Sequence, residues 1–357
     1  MNRYRVAWLI AFAWGSLTTD LAPFYPVASG RGDEVSAALK KFEEPVDQSI
    51  DRALKYLAEN QNAEGLFPGQ YGTTTAVPAL VGMAFLSKGY SPGLGPYGES
   101  INRCIDLVLR SEQQKDGKPS GYLVRTAEGK MYAHCICTLF LSEVSGMTDP
   151  ERQAKIDDIL PRAVRLIIEA QNIKKAPQFE GGWRYEPTST DADLSLTGWA
   201  IMALRSVRLN GAAVPDENIR RAVEFILRCQ PDKSNGAQGF GYQPGQGGNP
   251  AMTGVGILCL MLTGQHENGT LQPAGTFLLG ANVNRNWGGG HFFYSNYYCT
   301  QAMFQLGGKY WDDWATIFYD NALKHQQENG SWGDAYQTAM TVLAMTVSYR
   351  QLPVYQR

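Results

Sequence analysis

The chain has 357 residues, a formal net charge of −2, 18% charged residues and 38 glycines. Because no long run of one charge sign occurs, the sequence argues against a nucleic-acid partner, and we expect none. The length is sufficient for two average domains or for one large closed architecture.

The N-terminus has the pattern of an export signal. Two arginines precede an apolar run of about twelve residues, from Val6 to Leu17, which is too short to span a bilayer. We therefore predict a signal peptide over residues 1–28, an N-terminal extension over 29–45, and export to the periplasm or the cell exterior. No later segment has the length and apolarity of a transmembrane helix, so we expect none in the mature chain.

From residue 46 to residue 352 we predict six repeats of about fifty residues. Glutamines follow amphipathic segments, and the first four are spaced 52, 58 and 59 residues apart: Gln61, Gln113, Gln171, Gln230 and, last, Gln326. The 96 residues between the last two fit two units, one of which, around 278–287, has lost its glutamine. Such a period is typical of repeat architectures built from paired elements. No unit shows sustained period-two alternation, so we expect helices and no strands.

Each unit contains two different helical patterns. The first segment is amphipathic, as in residues 218–229, and the second is apolar on nearly every side, as in GVGILCLML at 254–262. A helix that is apolar all round must be covered all round. Twelve helices of these two kinds predict two concentric rings, which is an all-α, single (α/α)6 toroid of six helical hairpins. Most second helices end at a glycine that suits a left-handed residue: Gly89, Gly146, Gly211, Gly264 and Gly307.

The Q-x3-G-x-W pattern formed by Gln326, Gly330 and Trp332 resembles the repeat of squalene–hopene cyclases and of protein prenyltransferase β-subunits. The resemblance to this terpenoid cyclase and prenyltransferase superfamily covers residues 46 to 350, and it implies a toroid with a central apolar cavity. We expect the glutamine to bond the free backbone groups at the end of a neighbouring helix, and Trp183 and Trp332 to be structural. An isoprenoid or similar apolar ligand is the partner that the resemblance implies.

A pair of aspartates matches part of the motif with which such cyclases start their reaction. In the D-x-D-D motif the third residue protonates an alkene, and Asp191 and Asp193 match the first and third positions. The resemblance therefore implies that Asp193 is the acid and that Asp191 supports it, although Leu194 stands at the fourth position. The residues alone allow a second interpretation, in which the pair only caps the helix that follows.

The loops that precede the second helices are expected to meet at one rim of the toroid. These loops hold Tyr71–Thr75, Met131–His134, Asp191–Ser195, Met252–Thr253, Ser295–Tyr298 and Asp334–Thr338. A bowl of aromatic faces binds a cation or a flat apolar chain. We expect the ligand to contact Trp199, Tyr185, Tyr242, His134, His291, Phe293, Tyr294, Tyr297, Tyr298, Asp334 and Tyr336.

Three further interpretations concern the function. Zinc-dependent prenyl transfer is disfavoured because the family's D-x-C step is absent, and we expect neither a metal nor a cofactor. The six cysteines lie mostly in apolar helical segments, and we predict buried, unpaired thiols. A glycan-active enzyme would draw two carboxylates from the rim, where the candidates are Glu180, Glu186, Asp191, Asp193 and Asp334. A non-catalytic toroid that binds a ligand or a protein partner is the remaining alternative, so the sequence leaves open whether the chain is an enzyme.

Overall fold

The computed structural model describes residues 37–231, 239–281, 283 and 287–356, so the predicted signal peptide lies outside the described residues. The described residues form twelve α-helices and one two-stranded antiparallel sheet. None of these helices combines the length and the apolarity that a membrane crossing requires. The first helix begins at Ala37, before the boundary expected at residue 46.

The odd-numbered helices form the outer layer and the even-numbered helices form the inner layer. The outer helices are α1 Ala37–Glu59, α3 Gly98–Arg110, α5 Pro150–Asn172, α7 Asp216–Arg228, α9 Leu271–Gly280 and α11 Gly308–His325. The inner helices are α2 Ala76–Ser87, α4 Lys130–Val144, α6 Leu194–Leu209, α8 Pro250–Leu262, α10 Phe292–Leu306 and α12 Ala335–Met345. Each outer helix precedes the inner helix of the same hairpin.

The inner helices close into a ring. Each of them packs against the next, and α12 packs against α2. In α2 every residue from Val77 to Ser87 is buried, and in α8 every residue from Met252 to Leu262 is buried. Such all-round burial is what all-round apolarity requires. The fold is therefore the predicted all-α toroid of six hairpins, and the six cysteines are all buried and unpaired, as predicted.

Glycines with positive φ follow most of the inner helices, although at Gly307 the ψ angle of −170° is extended and not left-handed helical. The backbone angle φ is 94° at Gly89, 84° at Gly146, 87° at Gly211, 80° at Gly264 and 70° at Gly307. A side chain at such an angle places Cβ close to a backbone oxygen, which glycine avoids. These positions confirm the helix ends that were read from the sequence.

The expectation that the chain holds no strands is wrong in one place. A hairpin of β1 Glu112–Lys115 and β2 Lys118–Leu123 follows α3. Its turn consists of Asp116 and Gly117, which both have positive φ, and an Asp-Gly turn of this kind closes a hairpin without alternating apolar residues. Gln113, expected at a helix end, therefore lies on β1 and donates to the carbonyl of Val124.

The glutamines that do end outer helices join neighbouring hairpins. Gln171 donates through Nε2 to the carbonyl oxygens of Gly181 (2.8 Å) and Asn218 (2.9 Å), the second of which lies in the first turn of α7. Its Oε1 accepts from Arg221 (3.1 Å) and from the Asn218 side chain. One side chain therefore fastens its own loop to the next outer helix.

The same arrangement recurs at two other seams. Gln61 donates to the carbonyl oxygens of Gly65 and Ser100 and accepts from Arg103, and Gln326 donates to those of Gly330 and Ser49 and accepts from Arg52. The Gln326 contact joins the last hairpin to the first and so closes the outer layer. The indoles of Trp183 and Trp332 are buried and donate to the carbonyls of Ile167 and Ala322.

The C-terminal segment, residues 352–356, covers the end of the ring where the inner helices finish. Arg205, near the end of α6, donates through Nε to the carbonyl of Val354 (3.0 Å). Gln305, near the end of α10, donates to the carbonyl of Tyr355 (3.1 Å). Because Val354 and Tyr355 are themselves buried, this end of the ring is blocked by the chain's own residues.

Candidate functional site

The opposite end of the ring, where the inner helices begin, is called the mouth here. One tyrosine lies near the start of each inner helix, and together these six residues are called the tyrosine ring: Tyr71, Tyr132, Tyr185, Tyr242, Tyr294 and Tyr336. Tyr71 is 40% exposed, and the other five are partly exposed. Every hairpin therefore contributes one aromatic side chain with a hydroxyl group to the mouth.

Four members of the tyrosine ring are connected around α6. The hydroxyls of Tyr185 and Tyr242 share a hydrogen bond, and the rings of Tyr132 and Tyr185 lie 5.8 Å apart. Tyr132 bonds the hydroxyl of Ser195 in the first turn of α6, and Tyr294 donates to the carbonyl of the same residue (3.4 Å). Side chains from α4, α6 and α10 and from the loops before α6 and α8 therefore meet at one place.

The remaining two members meet across the α2–α12 seam. Tyr71 and Tyr336 are in edge-to-face contact with their ring centroids 5.3 Å apart. Tyr336 is also close enough to Tyr294 to affect it electrostatically. These contacts place all six helix starts at a common mouth, as the sequence predicted for the loops.

The hydroxyls of Tyr132, Tyr294 and Tyr336 lie in a poorly solvated environment although these side chains remain partly exposed. Burial raises the pKa values of Tyr132, Tyr294 and Tyr336, in each case as the largest cause. Partial exposure combined with strong desolvation is typical of a concave surface. These hydroxyls therefore stay protonated and can donate as well as accept hydrogen bonds.

Below the mouth the centre of the ring is filled by aromatic side chains. Trp199 stacks on Tyr297 with centroids 5.6 Å apart and meets Tyr298 edge-on at the same distance. Tyr298 in turn lies 4.9 Å from Tyr294 of the tyrosine ring. Because Trp199, Tyr297 and Tyr298 are almost fully buried, they form an aromatic floor beneath the tyrosine ring.

Asp193 caps the helix α6 and is fully buried. Its Oδ1 accepts a hydrogen bond from the backbone N–H of Leu196 (2.8 Å), which is one of the free donors at the helix start. Its Oδ2 lies 3.5 Å from Nη1 of Arg184. The capping interpretation of Asp193 therefore describes one of its oxygens, and the other faces a cation.

Arg184 holds the two aspartates together at the mouth. Its Nε lies 3.5 Å from Asp191, whose side chain is 43% exposed, and its guanidinium stacks on the rings of Tyr185 (4.6 Å) and Tyr242 (5.5 Å). A guanidinium between two aromatic faces is both positioned and stabilised. Asp191 and Asp193 are thus bound to one arginine, which the sequence analysis did not single out.

Burial raises the pKa of Asp193 to about 6, against its ordinary value of 3.8. The Leu196 N–H, the Arg184 charge and the Tyr242 hydroxyl oppose this shift, whereas the Asp191 charge adds to it. The carboxyl is consequently ionised at pH 7 and protonated in mildly acidic solution. An acid that must be neutral to protonate an alkene is disfavoured by the adjacent guanidinium.

The two predicted histidines have different surroundings. His134 is fully buried, with Nδ1 accepting from the N–H of Leu123 on β2 (3.2 Å) and Nε2 bonded to the carbonyl of Ala163 on α5 (3.1 Å). Burial lowers the pKa of His134 to about 4, so the imidazole is neutral and joins the outer elements. His291 is exposed and directly precedes α10.

Two other predicted residues have structural contacts. Asp334 caps α12 through Oδ1, which accepts from the N–H of Gln337 (3.0 Å), and its Oδ2 accepts from the N–H of Gln70 (2.6 Å). Phe293 is buried against the ring of Trp287, with centroids 6.0 Å apart. Both residues help to shape the loops of the mouth.

Sequence reasoning placed Tyr71 and Tyr132 at the mouth without assigning them to the ligand. The six tyrosines stand at different distances from their helix starts, so no fixed spacing connects them. Tyr71 precedes α2 by a loop, whereas Tyr132 lies within the first turn of α4. A search for one tyrosine near every inner-helix start would have found the complete set.

Comparisons with known proteins found similarity at the level of the fold. No family model matches the chain, and no curated protein matches it. The α-1,6-mannanase GH76A of Salegentibacter sp. HEL1_6 superposes with a TM-score of 0.60 and 11% identity, covering 86% of this chain and 99% of the mannanase. An inactive variant of that enzyme in complex with α-1,6-mannotriose superposes equally well, at 10% identity.

A second kind of enzyme shares the architecture. The type II terpene cyclase MstE from Scytonema, in complex with its substrate geranylgeranyl dihydroxybenzoate, superposes with a TM-score of 0.52 and 14% identity. The match covers 88% of this chain and 100% of the cyclase. At these identities the two enzymes show that the chain has an α/α toroid fold, and the fold is shared by different chemistries.

Proposed function

We propose that this protein binds a saccharide in the mouth of the toroid. The observation that carries the proposal is the tyrosine ring, in which each of six hairpins presents a partly exposed aromatic face and a hydroxyl group. Sugars offer C–H faces that pack on aromatic rings and hydroxyls that exchange hydrogen bonds with tyrosine, serine and arginine. A ligand without polar groups could pack on the aromatic faces but could exchange no hydrogen bond with these hydroxyls.

The carboxylates of the mouth favour binding over hydrolysis. Glycoside hydrolysis requires two carboxyl groups that flank the scissile bond and are free to act. Asp191 and Asp193 share the Arg184 guanidinium, Glu186 pairs with Lys130 (2.7 Å), and Asp334 caps α12. We therefore expect saccharide binding without rapid cleavage.

The proposal is tested by calorimetric titration with neutral trisaccharides, beginning with α-1,6-mannotriose and cellotriose. In a Tyr185→Phe variant the ring remains and the hydroxyl is lost, so we expect affinity to fall by roughly twofold to tenfold, as for one hydrogen bond. Tyr310→Phe is the matched control, because Tyr310 lies on α11 and donates to the carbonyl of Gln272 in the outer layer. Absence of binding by the unaltered protein to any trisaccharide would overturn the proposal.

An apolar ligand with acid-initiated cyclase chemistry is the second candidate. Two observations favour it: the pKa of Asp193 is raised, and the centre of the ring has an aromatic floor that includes Trp199 and Tyr298. The Arg184 charge argues against it, since a guanidinium favours the ionised carboxylate. Mass spectrometry of the products after incubation with polyprenyl substrates separates the candidates, because cyclised products that disappear in Asp193→Asn would favour this chemistry.

A further inference from the structure

Asp193 and Arg184 each retain one polar atom that makes no well-formed hydrogen bond. Asp193 Oδ2 and Arg184 Nη1 are shielded from solvent, and neither makes a hydrogen bond of good geometry with the described residues, although the Tyr242 hydroxyl lies near enough to Asp193 to lower its pKa. They lie 3.5 Å apart, an ion-pair distance at which the geometry of a direct hydrogen bond is not met. Buried polar groups in folded proteins are almost always satisfied, so this pair calls for an explanation.

A single hydroxyl oxygen has the chemistry that satisfies both atoms. It can accept from the guanidinium N–H and donate to the carboxylate at the same time. With ordinary lengths of roughly 2.7–3.0 Å to each partner, one oxygen bridges two atoms at this separation. A ligand carboxylate has no proton to donate to Asp193, and a ligand ammonium has no lone pair with which to accept from Arg184, so neither can form this bridge.

We propose that saccharide binding displaces the side chains that cover this pair and that a neutral hydroxyl of the saccharide then bridges Arg184 Nη1 and Asp193 Oδ2, so that the mouth selects neutral sugars over uronic acids and amino sugars. This inference rests on the proposed saccharide binding and names the class of sugar. Arg184 links the pair to the ligand, because its side chain keeps 21% exposure and lies against Tyr185 and Tyr242 of the tyrosine ring.

The chain itself indicates a variant that removes the charge and keeps the fold. Asn249 caps α8 as Asp193 caps α6, with Oδ1 accepting from the N–H of Met252 (3.0 Å). Asparagine is as good a helix cap as aspartate. Asp193→Asn therefore preserves the start of α6 while it replaces an acceptor beside Arg184 by a donor. Asn249→Asp is the matched control, since it adds a charge at the equivalent position of a neighbouring helix.

The experiment measures binding of three trisaccharides with one β-1,4 backbone, namely cellotriose, its uronic-acid analogue and its glucosamine analogue, at pH 7.5. We expect the unaltered protein to bind cellotriose at least tenfold more tightly than either charged analogue. Asp193→Asn should weaken cellotriose binding by about tenfold to a hundredfold, as for a hydrogen bond to a charged group, and should reduce the preference. Asn249→Asp should keep the preference.

The outcomes separate this inference from the proposed function. Binding of all three trisaccharides with similar affinity, or an Asp193→Asn variant with unchanged affinity and preference, would overturn the hydroxyl bridge and leave saccharide binding intact. Absence of binding of every trisaccharide, α-1,6-mannotriose included, would overturn both. Should Asp193→Asn fail to fold, Arg184→Lys replaces it, because lysine keeps the charge without the planar fork and should also lose the preference.

Discussion

Asp193 combines a structural role and an electrostatic role in one side chain. The sequence predicted both, since an aspartate at the start of an apolar segment is a helix cap and an aspartate in a partial D-x-D-D motif is a candidate acid. It could not predict that Arg184 lies 3.5 Å from the second oxygen. Arg184 stands nine residues before Asp193, and only the turn of the loop brings the two together.

The raised pKa of Asp193 has a consequence for stability. In the folded chain its pKa is about 6, whereas the unfolded value is near 3.8, so the folded state binds the proton more tightly. This tighter proton binding stabilises the folded state below about pH 3.8. The stabilisation, about 3 kcal/mol, is lost as the pH rises through about 6. Asp193→Asn lacks this proton. We therefore expect the difference in free energy of unfolding between the two proteins to shift in favour of the variant as the pH rises from 4 to 7. Denaturant unfolding at both values measures this, and a constant difference would contradict it.

The convergence of six tyrosines at the mouth could not be predicted from the sequence. Tyr185 and Tyr242 precede their helices by whole loops, whereas Tyr294 and Tyr336 lie in the first helical turn. Their convergence depends on loop geometry, which hydrophobic periodicity does not encode. His134 shows the reverse case, because a position near a helix start does not determine which way the side chain points.

At the scale of elements, the helices were predictable because the inner and outer layers each require a different hydrophobic pattern. All-round apolarity marked the inner helices, and residues of α7 such as Ala222 and Ile226 are buried at helical spacing on an amphipathic outer helix. The β1–β2 hairpin was missed because its strands have only four and six residues and β1 is mostly exposed. The Asp116-Gly117 dipeptide predicts a turn, but it does not predict whether helices or strands flank that turn.

Two glycines permit a matched test of how the hairpins are joined. Gly181 and Gly211 have similar positive φ values of 84° and 87°. A Cβ at Gly181 would lie 2.1 Å from the carbonyl oxygen of Arg221, whereas a Cβ at Gly211 would meet nothing within 4 Å. Both alanine variants incur the left-handed strain of about 1–2 kcal/mol, and we expect Gly181→Ala to lose a further 1–3 kcal/mol through overlap. Equal losses in thermal or denaturant unfolding would contradict this account.

At the scale of the whole molecule, the ring depends on a joint between its two ends. Gln326 bonds Ser49 and Arg52 of α1 through contacts that match those of Gln171 with Asn218 and Arg221. We expect Gln326→Ala and Gln171→Ala to lose similar stability, about 2 kcal/mol or more. Hydrogen exchange should nevertheless accelerate in α1 and α11 for the first variant, and in α5 and α7 for the second. The same exchange pattern in both variants would show that the joint has no special role.

The distance along the chain between Ser49 and Gln326, 277 residues, also bears on how the molecule is made. During synthesis α1 leaves the ribosome long before its partner α11 has been made. The apolar face of α2 likewise stays uncovered until α12 has been made. Contacts between such remote residues form late and slowly. We therefore expect nascent chains to remain open, with apolar helix faces uncovered, until α12 has been synthesised.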